Sequence, residues 1–367
     1  IQSQDAATPK LIAALVAHMK PNLETPAQAM PGFFELSVPG QDGDADMTYY
    51  VQLPPEYDPH SVYPCIVTLH GTGTTPQQQI DWWAGELPQG GGAAARTGQA
   101  GRYGYIVIAP EWTAPHQTQY EATAREHNAV LAALRDACRR FAIDTDRVFL
   151  SGHSAGGNAA WDIGLAHPDL WAGVMPIVAT AEKNVQLYWK NAEHLPLYFV
   201  CGELDGDKMA KNGPEFDRYM NRSAAFDCTV VEYEGRGHEN FSDEILRLFD
   251  WMGRKHRNFF PRQFTAVTNR AFDNYFWWLE LRNFQPSEKT LQVESNLTAN
   301  NGVSIRTGGK LTVWLSPEMV DFSRPIIISQ NGSRLGSPSS IGPDVTVLLE
   351  DVRSRGDRHH PFWAKVE

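Results

Sequence analysis

The chain has 367 residues, a formal charge of −11 and an ordinary share of apolar residues. That length supplies one large domain or two smaller ones with ample core. The acidic balance speaks against nucleic acid as a partner, because phosphate binding needs a basic surface. No apolar run approaches the roughly 18 residues needed for a membrane span.

Leu11 to Ala17 is apolar but short, and reads as an amphipathic helix followed by a connector with Pro21, Pro26 and Pro31. Because the chain opens on Ile1 rather than Met, it reads as either processed or trimmed, which leaves the compartment open, with secretion or a periplasmic location after loss of a targeting segment among the options. Phe33–Val38 and Met47–Leu53 have strand character. Tyr63–Leu69 reads as a buried strand ending in His70-Gly71-Thr72-Gly73. Residues 74–102 read as loop, including Trp82-Trp83 and a Gly/Ala patch at 90–95. A strand at Tyr105–Ala109 leads to Glu111-Trp112. An amphipathic helix over Glu121–Phe141 carries a stripe of Val130, Leu131, Leu134, Cys138 and Phe141.

The run Arg147 to Trp161 holds the most chemistry. Val148-Phe149-Leu150 is a short β-prone strand, Gly152-His153-Ser154-Ala155-Gly156 is a G-x-S-x-G pentapeptide, and Asn158–Ala166 reads as helix. Strand, glycine-flanked turn and helix are the context that makes this motif a nucleophile elbow. The turn would present the Ser154 hydroxyl at a helix N-terminus, where backbone N–H groups favour negative charge.

Downstream, Trp171–Val178 and Leu197–Cys201 are strands, Gly213–Ala225 a helix, Cys228–Tyr233 the last core strand and Asp243–Arg254 a closing helix. Strands alternating with helices imply a mostly parallel, doubly wound sheet. Beyond Phe259 the pattern becomes β-rich. Strands are expected at Tyr275–Leu281, Leu291–Glu294, Val303–Arg306, Leu311–Leu315, Ile326–Ser329 and Val345–Leu349, with turns at Asn301-Gly302, Gly308-Gly309 and Asn331-Gly332. This divides the chain into an N-terminal helix and connector (1–40), a catalytic α/β domain (41–258) and a β-rich C-terminal domain (259–367).

A serine hydroxyl needs a base, and the base needs a carboxylate to hold its tautomer. The expected order after the elbow is acid, then histidine, each on a loop following a strand. Asp205 and His238 fill those places, with Asp207 and Glu203 as other acids near the same turn. An oxyanion requires two fixed N–H donors: Ala155 supplies one, and Gly71 or Thr72 the other. Trp112, His153 and Tyr188 are candidate substrate contacts, and the 180–190 segment is a candidate pocket wall. Trp161 and His153 also suit packing around the elbow. Cys65, Cys138, Cys201 and Cys228 show no C-x-x-C and are expected as free thiols. The chemistry requires no metal and no organic cofactor.

The motifs H-G-T-G, G-H-S-A-G-G, G-E-L-D and G-R-G-H-E resemble those of α/β-hydrolase-fold serine hydrolases. The likeness is to the esterase and prolyl-oligopeptidase-like group that includes dienelactone-hydrolase-like, feruloyl-esterase-like and polyhydroxybutyrate-depolymerase-like enzymes. It covers roughly residues 45–257 and implies the α/β-hydrolase fold, a Ser154–Asp205–His238 triad and an acyl-enzyme route on small or polymer-linked esters. A serine peptidase using the same triad is the alternative, and a non-catalytic binding protein a third reading. The resemblance implies nothing about the β-rich C-terminal domain.

Overall fold

The nonpolar strand runs in the first 260 residues lie between turn signals, and the central ones are buried on both faces, so the chain builds a sheet with helices on either side. The computed structural model describes residues 7–21, 32–40, 45–87, 96–221, 226–285, 289–336 and 341–367. The Gly/Ala patch at 90–95 lies outside the described residues. The chain divides into two units: Lys20–Leu165 with Leu170–Arg257, and Ile1–Met19 with Ala166–Asp169 and Asn258–Glu367.

The chain opens with helix α1 (Pro9–Ala17), capped by the Thr8 side chain. Strands β1 (Phe33–Val38), β2 (Met47–Gln52) and β3 (Tyr63–Leu69) follow, then helices α2 (Pro76–Ala84) and α3 (Gln99–Tyr103), strand β4 (Ile106–Pro110) and helix α4 (Ala124–Arg140). Next come β5 (Ile143–His153), α5 (Ala155–Ala166), β6 (Gly173–Ile177), α6 (Lys183–Tyr188), β7 (Leu197–Gly202), α7 (Lys208–Tyr219), β8 (Cys228–Tyr233) and α8 (Ile245–Met252). The eight strands form one sheet in the order β1-β2-β4-β3-β5-β6-β7-β8. β1 and β4 run antiparallel to β2. From β4 to β8 every neighbouring pair is parallel. This order and these directions are those of the α/β-hydrolase fold, as the sequence implies. Parallel strands send their carboxyl ends to one edge, and the loops leaving β3, β5, β7 and β8 carry the candidate site residues.

Three readings of this unit are corrected. Residues 74–102 are not all loop: Thr75 closes a capping box with Gln78, and Pro76 starts α2. Helix α7 begins at Lys208, not Gly213, and accommodates Pro214 in its interior. The segment 180–190 is largely helical, and its Tyr188 is wholly buried.

The second unit carries β9 (Gln263–Thr268), β10 (Tyr275–Phe276), β11 (Leu279–Arg282), β12 (Leu291–Thr298), β13 (Gly302–Arg306), β14 (Lys310–Leu315), β15 (Ile327–Gln330), β16 (Ser333–Leu335), helix α9 (Val345–Arg355) and β17 (Ala364–Val366). Two sheets, β10-β11-β14-β17 and β16-β15-β13-β12-β9, share a core that includes Phe264, Trp278, Val293, Ile305, Val313 and Phe362. The expected strand at 345–349 is the first half of α9. Asp344 caps its N-terminus through Thr346 N–H, and Gly356 ends it in the left-handed region at φ 76°. Those end signals outweigh the β-branched Val345-Thr346-Val347 run. β9, β16 and β17 are strands the sequence reading missed.

Candidate active site

Ser154 stands between β5 and α5 with φ +57°, in the left-handed region that a non-glycine residue rarely adopts. The turn is possible because its flanks have no side chains. A Cβ on Gly152 would lie 2.0 Å from Gly156 O, and one on Gly156 would lie 2.3 Å from Leu69 O. Ser154 N–H donates to Ile177 O, and its carbonyl accepts the N–H of Asn158 in the first turn of α5. Oγ therefore sits beside a helix N-terminus, as the elbow requires.

His238 follows β8 and turns back to the elbow. Its Nε2 is 3.0 Å from Ser154 Oγ. Its Nδ1 is 3.0 Å from each oxygen of Asp205, which follows β7. The three residues are thus hydrogen-bonded in series. Asp205 is buried while the His238 side chain is 47% exposed, so the imidazole faces solvent and the carboxylate does not.

Lys208, in the first turn of α7, was not anticipated. Its Nζ lies 3.0 Å from Asp205 Oδ2, 2.6 Å from Val178 O and 2.9 Å from His238 Nδ1. When Nδ1 carries its proton toward Asp205, the ammonium donates to the other two oxygens. Val178 is a β-branched residue at φ +48°, an outlier that this bond helps to hold. The sequence signal for Lys208 was its place three residues after Asp205 (one helical turn), and the misplaced start of α7 hid it.

The histidine loop is braced from below. His153 Nε2 donates to Asn240 O at 3.2 Å, Trp82 Nε1 donates to the same carbonyl, and His153 Nδ1 faces the Gln79 side-chain amide at 3.1 Å. His153 is buried, and burial pushes its imidazole down to about 4. It packs rather than meeting substrate, which corrects its listing among the contacts expected from sequence. Arg236 stacks over Tyr233 and Phe241 and pairs with Glu239 and Asp243. Glu244 accepts from the Tyr198 and Tyr233 hydroxyls beneath the same loop.

Gly71, Thr72 and Ala155 line one cleft of about 760 Å³. A Cβ on Gly71 would come within 3.1 Å of the Ser154 Cβ, so this cleft abuts the nucleophile. His70, Glu111, Trp112, Thr113 and Arg125 also line it. Trp112 is fully buried; its Nε1 donates to His70 O at 3.2 Å, fixing the wall from behind. Burial lowers the His70 imidazole from its ordinary value. Tyr188 is absent from the cleft wall and fully buried, so the expected substrate contact there is not met. Trp161 is buried against Phe199 and Phe216, as expected for packing.

A family model matches part of the chain. The BD-FAE model matches residues 51–185, which include Gly71, Thr72, Ser154 and Ala155 and stop short of Asp205 and His238. No curated protein matches the chain. Among solved structures, a thermostable esterase is similar at 18% identity and TM-score 0.49, over 62% of this chain; the chain spans 64% of that protein's length. An S-formylglutathione hydrolase from Agrobacterium tumefaciens is similar at 16% identity and TM-score 0.47, over 64% of this chain and 99% of the other. A ferulic acid esterase is similar at 17% identity and TM-score 0.45, over 60% of this chain and 97% of the other. Among the described residues, no helix is long and apolar enough to cross a membrane.

Proposed function

We propose that the protein is a carboxylic ester hydrolase working through an acyl-enzyme on Ser154. The observation that carries this reading is the continuous chain of 3.0 Å contacts from Ser154 Oγ through His238 to Asp205. His238 Nε2 takes the Ser154 proton as Oγ attacks the ester carbonyl carbon. Asp205 accepts from Nδ1–H, holds the working tautomer and stabilises the imidazolium. The developing oxyanion lies between the N–H of Ala155, at the start of α5, and that of Gly71 or Thr72. Collapse expels the alkoxide, which takes the proton from Nε2. Water, deprotonated by the same nitrogen, then releases the acid and frees Ser154. The substrates are small or polymer-linked esters that enter the cleft beside Ala155.

Ser154→Ala tests the assignment with a short-chain aryl ester. The expected result is a loss of turnover on the order of 10⁵-fold or more with unchanged folding, since removing the nucleophile leaves only binding and the oxyanion donors. Retention of turnover by the variant would place the nucleophile elsewhere.

A further inference from the structure

Resting on the hydrolase reading, we infer that the cleft beside Ser154 contains an anion subsite at Arg125, and that its preferred substrates are esters carrying a carboxylate. The cleft is of a size that holds a small organic ligand. Its walls are rich in neutral hydroxyls and amides, among them Thr72, Thr74, Thr113, Thr118 and Gln119. Arg125 projects into this setting from the first turn of α4.

Its guanidinium is poorly used by the protein itself. Nη1 donates to Trp112 O and Nη2 to Thr113 O, both at 3.4 Å, the long end of a hydrogen bond. A guanidinium has five N–H donors and two weak acceptors do not satisfy it. Neither acceptor is charged. Elsewhere in the same unit arginines hold carboxylates, as Arg96 does with Asp81, Arg140 with Asp136 and Arg257 with Asp146. Among the described residues no carboxylate lies within ion-pair reach of Arg125, although the chain as a whole carries an excess of acidic groups.

The other charged groups on the cleft narrow where an anion can sit. Glu111 and Asp46 also line it, and Glu111 accepts the Tyr50 hydroxyl at 3.4 Å. Those carboxylates repel an anionic ligand. An anionic substituent is therefore directed to the Arg125 fork, whose paired N–H groups match the two oxygens of a carboxylate. His70 and His116 complete the set of titratable side chains on the walls. His70 is buried with its Nδ1 3.0 Å from Gly71 O, and is not turned to a ligand.

Two matched ester pairs separate the acyl side from the alcohol side. One pair is p-nitrophenyl hemisuccinate against p-nitrophenyl butyrate; the other is 3-acetoxybenzoate against phenyl acetate. In the wild type the charged member of one pair is expected to have the higher kcat/KM, by roughly 10- to 100-fold, the range of a charge-assisted hydrogen-bond pair. In Arg125→Gln that ratio falls to about one, and Arg125→Lys keeps only part of it because the fork is lost. Calorimetric titration with glutarate supplies a readout that needs no turnover: heat of binding in the wild type, none in Arg125→Gln. Ratios near one in both pairs, or a preference that survives Arg125→Gln, overturn the subsite. If no ester is hydrolysed while glutarate binds through Arg125, the hydrolase reading fails and the subsite stands. If neutral esters turn over and glutarate does not bind, the reverse holds.

Discussion

The buried carboxylates Asp205 and Asp351, one in each unit, are handled in opposite ways. In the α/β unit Asp205 is buried yet bonded to a histidine that reaches solvent, and the strained residues Ser154 and Val178 stand beside that pair. In the C-terminal unit the pair of buried Asp351 with Arg355 closes on itself. Arg355 is bidentate to Asp351 at 2.5 and 2.6 Å, donates to His360 O, and lies against the Phe259 and Phe362 rings. Asp351 also accepts Phe362 N–H, and its side chain is buried. On the proposed mechanism the difference separates a charge kept for chemistry from a charge kept for packing. The first is open on one side and backed by strain, and the second is enclosed by acceptors and rings.

Breaking the enclosed pair gives the largest stability effect. Arg355→Met leaves Asp351 buried and uncompensated and is expected to cost about 3–5 kcal/mol. Urea unfolding followed by tryptophan fluorescence measures it. A cost well below 1 kcal/mol would mean that the pair is solvated, and the contrast between the units would dissolve.

A smaller effect, confined to acid pH, is expected at His153. The unfolded chain protonates this residue near the ordinary histidine value of about 6.5. The folded chain does so only near 4, because burial opposes the charged ring. Above pH 6.5 both states are neutral and the full stability is present. As pH falls from there toward 4 the unfolded state binds the extra proton, and up to ~3 kcal/mol is lost. His153→Gln is expected to flatten that limb of the stability curve, read as unfolding midpoints between pH 7 and pH 4. Parallel limbs in wild type and variant would show that another group is responsible.

Much of the α/β unit was legible because its signals are local. A buried strand reads as a short apolar run, and the elbow's chemistry is spelled out in five consecutive residues. Asp205 and His238 stand out in the sequence by their order after the elbow, and the structure joins them to Ser154 through 3.0 Å contacts. What escaped depends on contacts distant in sequence or on element ends. Lys208 gains its meaning only when β6, β7 and β8 bring Val178, Asp205 and His238 together. Arg125 looked like one more polar residue on an amphipathic helix until the 111–119 loop made it a cleft wall. The strand expected at 345–349 failed because β-branched residues spoke louder than Asp344 and Gly356, although the caps decide where a helix can form. Tyr188 drew attention as an aromatic in a polar stretch, and that pattern fits a buried anchor equally well.

The most direct test of the central claim is the covalent intermediate itself. Wild-type protein is mixed with a p-nitrophenyl ester, quenched in acid within the first turnovers and examined by intact and peptide mass spectrometry. The account predicts an added acyl mass on the peptide containing Ser154, and none in Ser154→Ala. An acyl mass on another residue, or turnover with no covalent species at any quench time in a variant slowed at deacylation, would contradict it.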